Sequence, residues 1–402
     1  MKKELELYIH IPFCMKKCNY CDFLSAPADE RTQNYYVAAL LREIRYYGEC
    51  CRDRRVSTIY IGGGTPSWLP EQYMELILKQ LRVSFDIDEA AEITVECNPG
   101  TLTGQKLMTY KACGVNRLSI GLQSTFDDEL KLLGRVHTYE QFLRNYELAR
   151  KAGFSNINID LMSALPYQTT VKYLTSLKRV IALRPEHISA YSLIIEKGTP
   201  FYEKYRFDAV KREAGMRTEC LPGEETEYEI CEKTKEVLEQ NGYRQYEISN
   251  YAKAGYECRH NIGYWKRTDY LGMGLGAASL IDNVRYTNAR DLFLYIEETS
   301  DIHAVSIEGV EHGMATNLHE QADVVSRNAQ IEEYMFLGLR MTEGITRAEF
   351  RQTFGVEIEA VYAGILPKLA EEGLIRMEAG VIRLTKRGTD ISNYVLAQFL
   401  LD

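Results

Sequence analysis

The chain has 402 residues, 45% of them hydrophobic and 26% charged, which are the proportions of a globular protein with more than one core. Its formal net charge of −9 argues against a general affinity for nucleic acid or anionic lipid, and no nucleic-acid partner is expected. No apolar run approaches the roughly 20 residues that span a bilayer, and the first residues lack a signal-peptide cleavage site. We therefore expect a cytoplasmic protein.

The first 200 residues alternate short β-branched or aromatic runs with helical patterns. The predicted strands are Leu5–Ile11, Ser57–Ile61, Glu92–Cys97, Arg117–Gly121, Asn156–Leu161 and His187–Ile194. The predicted helices are Tyr35–Tyr47, Gln72–Leu81, Gln105–Ala112, Tyr139–Ala152 and Lys172–Leu183. Gly114 and Gly153 follow two of these helices, where left-handed caps are expected. Six βα units without a nucleotide-binding fingerprint after the first strand favour a partial barrel over a doubly wound sheet.

The middle of the chain has weaker patterns. Tyr243–Tyr251 is a candidate to extend the sheet. Residues 204–224 are charged and rich in turn formers, which predicts a surface loop. Arg259–Leu280 contains three closely spaced glycines, and we predict an irregular segment that approaches a site closely.

The pattern changes after Arg327. Three short helices are predicted over Ile331–Arg340, Thr346–Phe354 and Ile358–Glu372, and a hairpin over Leu374–Met377 and Val381–Leu384. This is the winged-helix order, although the segment is not markedly basic. The predicted fold is therefore α/β: a partial (β/α)6 TIM-like barrel with extra strands over residues 1–310, and a small winged-helix-like α+β domain over residues 311–402.

Three of the ten cysteines are tightly spaced, directly after the first strand: Cys14, Cys18 and Cys21. Three thiolates suit an iron–sulfur cubane that keeps one iron open to an exogenous ligand. Structural zinc is the first alternative, but no second cysteine pair is visible, and a lone strand histidine such as His10 is more often structural. Inert thiols are the second alternative. The spacing alone leaves the cluster and these alternatives about equally open.

Polar or glycine residues stand at the ends of successive predicted strands. The run IYIGGGTPSWL ends the second strand, where glycines let the backbone approach a ligand. Glu96 and Asn98 end the third strand, Gln123 follows the fourth, and Asp160 lies on the fifth. Because the carboxyl ends of barrel strands share one face, this pattern favours the rim of a small-molecule site.

The strings YIHIPFCxxxCxxC, GGGTP, ECNPGTL, NRLSIGLQS and NIDLMSALP, in this order, closely resemble the radical S-adenosylmethionine (SAM) family that includes oxygen-independent coproporphyrinogen III oxidase. The resemblance covers the whole chain. It implies a 4Fe–4S cluster on Cys14, Cys18 and Cys21, with SAM chelating the open iron and being cleaved reductively to a 5′-deoxyadenosyl radical. The positions that match SAM contacts in the family are Tyr8, Tyr20, Gly63, Gly64, Thr65, Glu96, Gln123, Arg135 and Asp160.

Two features bear on the branch of the family. The decarboxylating oxidase has a further cysteine where this chain has Phe23, which puts that activity in doubt. The string HNxxYW resembles the HemW branch of haem chaperones and implies a haem site with His260, Asn261, Tyr264 and Trp265. Residue chemistry alone also allows a structural histidine beside core aromatics, and Cys258 and His137 are less favoured iron ligands.

The resemblance implies several partners. These are haem, an unidentified haem-accepting protein, a flavodoxin- or ferredoxin-like electron donor, and a transient association with a membrane surface. The expected function is therefore a haem chaperone that carries a 4Fe–4S cluster and SAM. The alternatives are a radical enzyme that modifies a tetrapyrrole and, less favoured, a zinc-stabilised binding module.

Overall fold

Six parallel strands form the centre of the fold in the computed structural model, which describes residues 2–306 and 314–401. The elements of this part are β1 (Lys3–Ile11), α1 (Glu30–Cys50), β2 (Arg54–Gly63), α2 (Glu71–Ser84), β3 (Ile87–Cys97), α3 (Gly104–Ala112), β4 (Arg117–Gln123), α4 (Asp127–Leu132), α5 (Tyr139–Lys151), β5 (Ile157–Ser163), α6 (Thr170–Ala182) and β6 (His187–Ser192). Strands β1 to β6 pair in sequence order, each parallel to the next. All six predicted strands and all five predicted helices are confirmed, and α4 is an additional short helix.

Further strands extend this sheet at both edges. The elements that follow are α7 (Pro200–Glu213), α8 (Glu224–Gln240), β7 (Arg244–Gln245), β8 (Asn250–Ala252), α9 (Arg259–Trp265), β9 (Tyr270–Met273), β10 (Ala278–Ile281), β11 (Val284–Asn288), α10 (Leu292–Glu298) and β12 (His319–Val324). Strand β9 lies parallel to β1, and β10 to β12 continue the sheet antiparallel from it. The resulting 12-stranded sheet is open, with β12 and β7 at its edges, which agrees with the predicted partial barrel.

Two sequence predictions for the middle of the chain are wrong. The first half of the predicted loop over 204–224 is helix α7, because Thr199 caps its first turn by accepting a hydrogen bond from the Tyr202 amide and Pro200 suits the first helical position. The predicted irregular segment Arg259–Leu280 contains α9, β9 and β10. Its glycines belong to or follow β9, where tight contacts with neighbouring backbone require residues without a Cβ. Of the candidate strand Tyr243–Tyr251, only two short pieces, β7 and β8, pair with the sheet.

The C-terminal part has its own core and its own small sheet. Its elements are α11 (Arg327–Gly338), β13 (Ile345–Thr346), α12 (Arg347–Phe354), α13 (Ile358–Val361), α14 (Ile365–Glu371), β14 (Ile375–Glu378), β15 (Val381–Leu384), α15 (Lys386–Asp390) and α16 (Ser392–Ala397). The predicted helix–helix–helix–hairpin order is present, with the third predicted helix divided into α13 and α14. The predicted boundary at 310/311 lies outside the described residues. The large sheet continues to Val324, and the second core begins at Ile331.

The two faces of the parallel strands differ in polarity. On β1, Leu5, Leu7 and Ile9 are fully buried in the main apolar core. The residues between them, Glu6, Tyr8 and His10, point to the opposite face, because side chains alternate along a strand. The face of the sheet opposite the apolar core is therefore polar, and the site described below is built on it. None of the helices in the described ranges is long and apolar enough to cross a bilayer.

Helix α1 ties the glycine-rich segment after β9 to the end of β1. The buried Glu43 carboxylate accepts hydrogen bonds from the Gly274 amide (2.8 Å), the Asn288 side-chain amide (2.7 Å) and the Tyr295 hydroxyl (2.5 Å). Two turns earlier, the Tyr36 hydroxyl donates to the carbonyl oxygen of His10 and accepts from the Leu275 amide. Burial raises the pKa of Glu43 to about 7, and the three donors oppose that shift by favouring its ionised form.

Replacing Glu43 with alanine is expected to lower the free energy of unfolding by about 3 kcal/mol, because it leaves three buried donors without their acceptor. Urea denaturation of the full chain measures this change. The control is Glu49→Ala on the same helix, whose side chain is 70% exposed and pairs with Arg52, and we expect a change of less than about 0.5 kcal/mol in the free energy of unfolding. Equal effects of the two substitutions would contradict the role of Glu43.

Candidate functional site

A cavity of about 420 Å³ opens at the carboxyl ends of the parallel strands. Its wall contains the three clustered cysteines and eight of the nine positions that match SAM contacts in the family. These residues are Cys14, Cys18, Cys21, Tyr20, Gly63, Gly64, Thr65, Glu96, Gln123, Arg135 and Asp160. The ninth, Tyr8, lies instead in the wall of a second cleft, described below. The fold thus brings residues from six different strand ends and loops, which the sequence predicted as site residues, to the wall of one cavity.

The cysteine-bearing loop connects β1 to α1 and lies along one side of the cavity. Cys14 is buried, whereas Cys18 and Cys21 are partly exposed. Burial raises the pKa of the Cys14 and Cys21 thiols, while the nearby Lys17 ammonium favours both thiolates. Cys18 is close enough to oppose ionisation of both other thiols, and its sulfur accepts a hydrogen bond from Arg135 Nη1 at 3.7 Å. Binding as thiolates therefore requires a compensating positive charge, which cluster iron supplies.

The arrangement of the thiols fits ligands of separate metal atoms. Among residues 2–306 and 314–401, no three or more Cys, His, Asp or Glu side chains gather as they would around one ion. In a cubane each cysteine binds a different iron, and the three thiols line the same cavity. His10, considered above as a fourth ligand, has both ring nitrogens engaged, by the Tyr8 hydroxyl (3.0 Å) and by the Leu24 carbonyl oxygen (2.9 Å). The histidine holds the cysteine loop against β1.

Glycines at the end of β2 allow the cysteine loop to lie directly against this strand. A Cβ on Gly64 would lie 2.7 Å from the carbonyl oxygen of Phe13, and one on Gly63 would lie 2.7 Å from the His10 ring. Gly63 also has a φ of +112°, which side chains other than glycine rarely adopt. The next residue, Thr65, accepts a hydrogen bond from the Asn98 side chain at 2.8 Å. The close approach of the cysteine loop to β2 therefore requires glycine at positions 63 and 64.

Two carboxyl groups that form no salt bridge with the described residues line the cavity. Glu96 accepts hydrogen bonds from the Tyr60 hydroxyl (2.9 Å) and the Gly63 amide (3.1 Å), and burial raises its pKa to about 7. Asp160 accepts from the Asn158 side chain at 2.6 Å, and burial likewise raises its pKa. Among the described residues, no lysine or arginine forms a salt bridge with either carboxyl group. A cationic ligand with hydroxyl groups would compensate both, and SAM has an ammonium, a sulfonium and a ribose.

Arg135 lies between the cysteines and the amide-lined part of the cavity. Its Nη2 donates to the Asn98 side-chain oxygen at 2.7 Å and to the Gly121 carbonyl oxygen, while its buried Nε has no acceptor among the described residues. An orphaned buried donor fits a ligand carboxylate. Gln123 ends β4 with a φ of +72°, and its side-chain oxygen accepts from the Tyr191 hydroxyl at 2.8 Å. Backbone strain of this kind is concentrated at ligand sites. The residues present therefore fit a cluster with SAM.

The HNxxYW string forms helix α9, which separates this cavity from a second one. Asn261 lines the first cavity. Tyr264 and Trp265 line a second cleft of about 510 Å³, which we call the aromatic cleft. Its wall consists of Tyr8, Tyr264, Trp265, Arg267, Tyr270, Ala278, Leu280, Arg285, Glu333, Phe336 and Leu337. The four haem-site candidates therefore do not share one cavity: Asn261 lines the first, Tyr264 and Trp265 line the second, and His260 is buried between them.

His260 lies inside the protein between the two cavities. Its ring is stacked on Tyr60 with centroids 5.1 Å apart, and both ring nitrogens have hydrogen-bond partners: the Thr58 hydroxyl (2.7 Å) and the Tyr264 hydroxyl (3.0 Å). Burial lowers its pKa to about 3, so the ring is neutral. In this position His260 packs against Tyr264 and orients its hydroxyl. This agrees with the alternative that the sequence left open, a structural histidine beside core aromatic residues. Of the less favoured iron ligands, Cys258 is fully buried beside Glu92, and burial lowers the pKa of His137 to about 3.

Several cavity residues were not predicted from the sequence. They are Tyr60, Arg117, Asn158, Ser189 and Tyr191. Each lies on a predicted strand, at a position that faces the same way as a predicted site residue or as His10. The signal that would have found them is the alternation of polar residues along strands whose other face is apolar.

Comparison with known proteins agrees with these features. The sequence signature of the radical SAM superfamily matches residues 8–180, and that of the HemN C-terminal domain matches residues 325–391. The chain is 38% identical to the heme chaperone HemW of Bacillus subtilis, over 98% of both chains. It is 36% identical to the heme chaperone HemW of Escherichia coli, over 99% of this chain and 98% of the relative. Among solved structures, coproporphyrinogen III oxidase (HemN) of E. coli matches with a TM-score of 0.81 and 25% identity, over 99% of this chain and 90% of that one.

The raised pKa of Glu96 predicts that SAM affinity depends on pH. A cationic group beside this carboxylate favours its ionised form, so SAM should bind more tightly as the pH rises from 6 to 8, through the value of about 7 in the free protein. Asp160 disfavours ionisation of Glu96, and Arg117 favours it. Calorimetric titration of the protein with SAM at several pH values measures how the affinity changes with pH.

The matched control is Glu96→Gln, which removes this one carboxyl group and leaves every other titratable group in place, including the amino group of SAM. It should lose the part of the pH dependence due to Glu96 and bind SAM about tenfold more weakly at pH 8. Identical pH profiles for the two proteins would contradict the assignment of Glu96.

Proposed function

The chain belongs to the HemW family of radical SAM proteins, and on this premise we propose that it binds haem and passes it to an acceptor protein. The observation that carries the proposal is the aromatic cleft beside helix α9. Family membership gives the chain a 4Fe–4S cluster and SAM as cofactors. When bound, they supply one-electron reductive chemistry. Cys14, Cys18 and Cys21 hold the cluster, and the cavity residues above hold SAM.

The lining of the aromatic cleft suits a porphyrin. Tyr264, Trp265 and Phe336 contribute flat or apolar side chains, and the volume of about 510 Å³ suits a ligand of haem size that remains partly exposed. The buried Trp265 Nε1 has no hydrogen-bond acceptor among the described residues. An acceptor on a bound ligand would satisfy this donor.

Two arginines in the cleft suit the two haem propionates. Arg267 and Arg285 both pair with Glu333, at 2.9 and 2.8 Å. Each guanidinium can bind a carboxylate through two parallel hydrogen bonds. Glu333 supplies one negative charge against the two arginines in the free protein, so a ligand carboxylate can supply the other. Because Glu333 lies on α11, haem in this cleft would contact both the sheet and the C-terminal core.

Iron ligation by His260 requires a rearrangement of the ring. Its Nε2 atom is directed at the Tyr264 hydroxyl, so it can reach a ligand in the cleft only if Tyr264 moves aside. His260→Ala tests this separately from the cleft itself. A shifted haem absorbance band with weaker binding would assign the ligand, and an unchanged spectrum and affinity would remove His260 from the haem site.

The partners follow from the same proposal. An acceptor protein takes the haem, and a flavodoxin- or ferredoxin-like protein reduces the cluster through the partly exposed cysteine loop. We place the chain in the cytoplasm, with transient contact with a membrane surface when the acceptor resides there.

A second candidate function is a radical reaction on a tetrapyrrole, favoured by the whole-chain likeness to HemN. Phe23, which stands where the oxidase has a further cysteine, lines the SAM cavity and is 62% exposed. It offers no thiol for chemistry there. Formation of 5′-deoxyadenosine that increases with added tetrapyrrole would support this function. Haem binding with no such increase would support the chaperone.

Anaerobic haem titration of the iron-reconstituted protein, followed by visible absorbance, tests the proposed function. We expect saturation near one haem per chain. Arg285→Gln removes the positive charge that would bind one propionate. Because this side chain is 44% exposed, the variant should fold normally, and its dissociation constant for haem should rise about tenfold.

The matched control is Arg55→Gln, which removes the same charge from a side chain that is 52% exposed and pairs with Asp88. It should bind haem like the unmodified chain. Absence of saturable binding would reject the chaperone proposal, and equal weakening by the two variants would reject the aromatic cleft as the site.

A further inference from the structure

A third cleft, of about 310 Å³, lies where the large sheet meets the C-terminal core, and we call it the basic cleft. Its cationic wall residues are Lys235, Arg340, Arg376, Arg383 and Lys386. Among the described wall residues, the one carboxylate is that of Glu247, which is 2% exposed and accepts a hydrogen bond from the Ser249 amide. Five cations face one acid here, in a chain whose net charge is −9. Such a concentration of like charge costs energy unless an anion compensates it.

The carboxylates at the rim neutralise these cations only in part. Lys386 pairs with Glu232, and Glu378 is shared by Arg376 (3.5 Å) and Arg383 (3.7 Å). The Glu378 side chain is 61% exposed, and long, exposed ion pairs contribute little. Both arginines therefore remain available to a ligand that enters the cleft.

Arg340 supplies an independent observation that a ligand belongs here. Its guanidinium lies 5.4 Å from the centre of the Trp265 ring, and its Nε is buried with no hydrogen-bond acceptor among the described residues. In the described part of the chain, no carboxylate lies within salt-bridge distance of Arg340 or Lys235. The buried Arg340 donor is a position that an anion would satisfy, and Lys235, which interacts electrostatically with Asp390, adds positive charge to the same wall.

We propose that the basic cleft binds a phosphate-type oxyanion, such as a diphosphate group, across the junction of the two cores. The volume is at the lower end of small-molecule sites, which suits a compact anion. Arginine forks match phosphate oxygens in both geometry and charge. Lys235 comes from α8, whereas Arg376 and Arg383 come from the β14–β15 hairpin. A bound anion therefore links helix α8 to the C-terminal hairpin and stabilises their junction.

The test is calorimetric titration of the full chain with pyrophosphate, at constant ionic strength. The unmodified chain should bind near one equivalent. The double variant Arg376→Gln, Arg383→Gln changes two exposed side chains, so it should fold normally and bind at least about tenfold more weakly. The control is Arg351→Gln, which lies outside the cleft on α12 of the same core, is 63% exposed, and should bind within about twofold of the unmodified chain.

A second arm distinguishes a soluble phosphate ester from a lipid headgroup. Phosphatidylglycerol vesicles are sedimented with the chain, with and without excess pyrophosphate, and phosphatidylcholine vesicles are the control. Pyrophosphate binding without vesicle binding supports a soluble ester, and vesicle binding that pyrophosphate competes away supports a headgroup. The proposal is overturned if neither probe binds, or if the double variant binds both probes like the unmodified chain. Neither arm contains haem, so the result is independent of the proposed chaperone function.

Discussion

The close contact between the cysteine loop and two glycine-rich segments is the constraint on which the site depends. On one side, Gly64 touches the backbone of Phe13, and on the other, Gly274 approaches the carbonyl oxygen of His10. Either contact would be blocked by a Cβ. Helix α1 holds the second segment in place through Glu43 and Tyr36. The three thiols therefore face the cavity because their loop packs against one glycine-rich segment, while buried hydrogen bonds from helix α1 fix the other segment against the end of β1.

Helix α9 contributes side chains to two separate cavities. Asn261 on this helix faces the SAM cavity, and Tyr264 and Trp265 face the aromatic cleft. Between them, the His260 ring stacks on Tyr60, whose hydroxyl donates to Glu96. The wall is thus a packed, hydrogen-bonded layer one helix thick. A ligand on either side contacts residues that are one or two side chains away from the other site.

The sequence predicted the fold where local patterns and tertiary packing agree. The β/α alternation, the Gly114 and Gly153 caps and the cavity lining were readable, because each depends on residue type at fixed spacing. Helix α7 was missed because its many charged residues were interpreted as a surface loop, although Thr199 is a normal helix cap. The position of Tyr8 and the enclosure of His260 could not be read from spacing, since both depend on how α9 packs against a strand more than 200 residues earlier in the chain.

Simultaneous occupancy of the two sites is the central claim, and electron paramagnetic resonance of the reduced, reconstituted cluster tests it most directly. SAM is added first, and its binding is read as a change in the cluster spectrum. One equivalent of haem is then added, and its binding is followed by visible absorbance. If α9 separates two sites, the SAM-dependent spectrum persists while haem binds. Return of the SAM-free spectrum on haem addition would show that the two ligands compete for one cavity and would contradict the account.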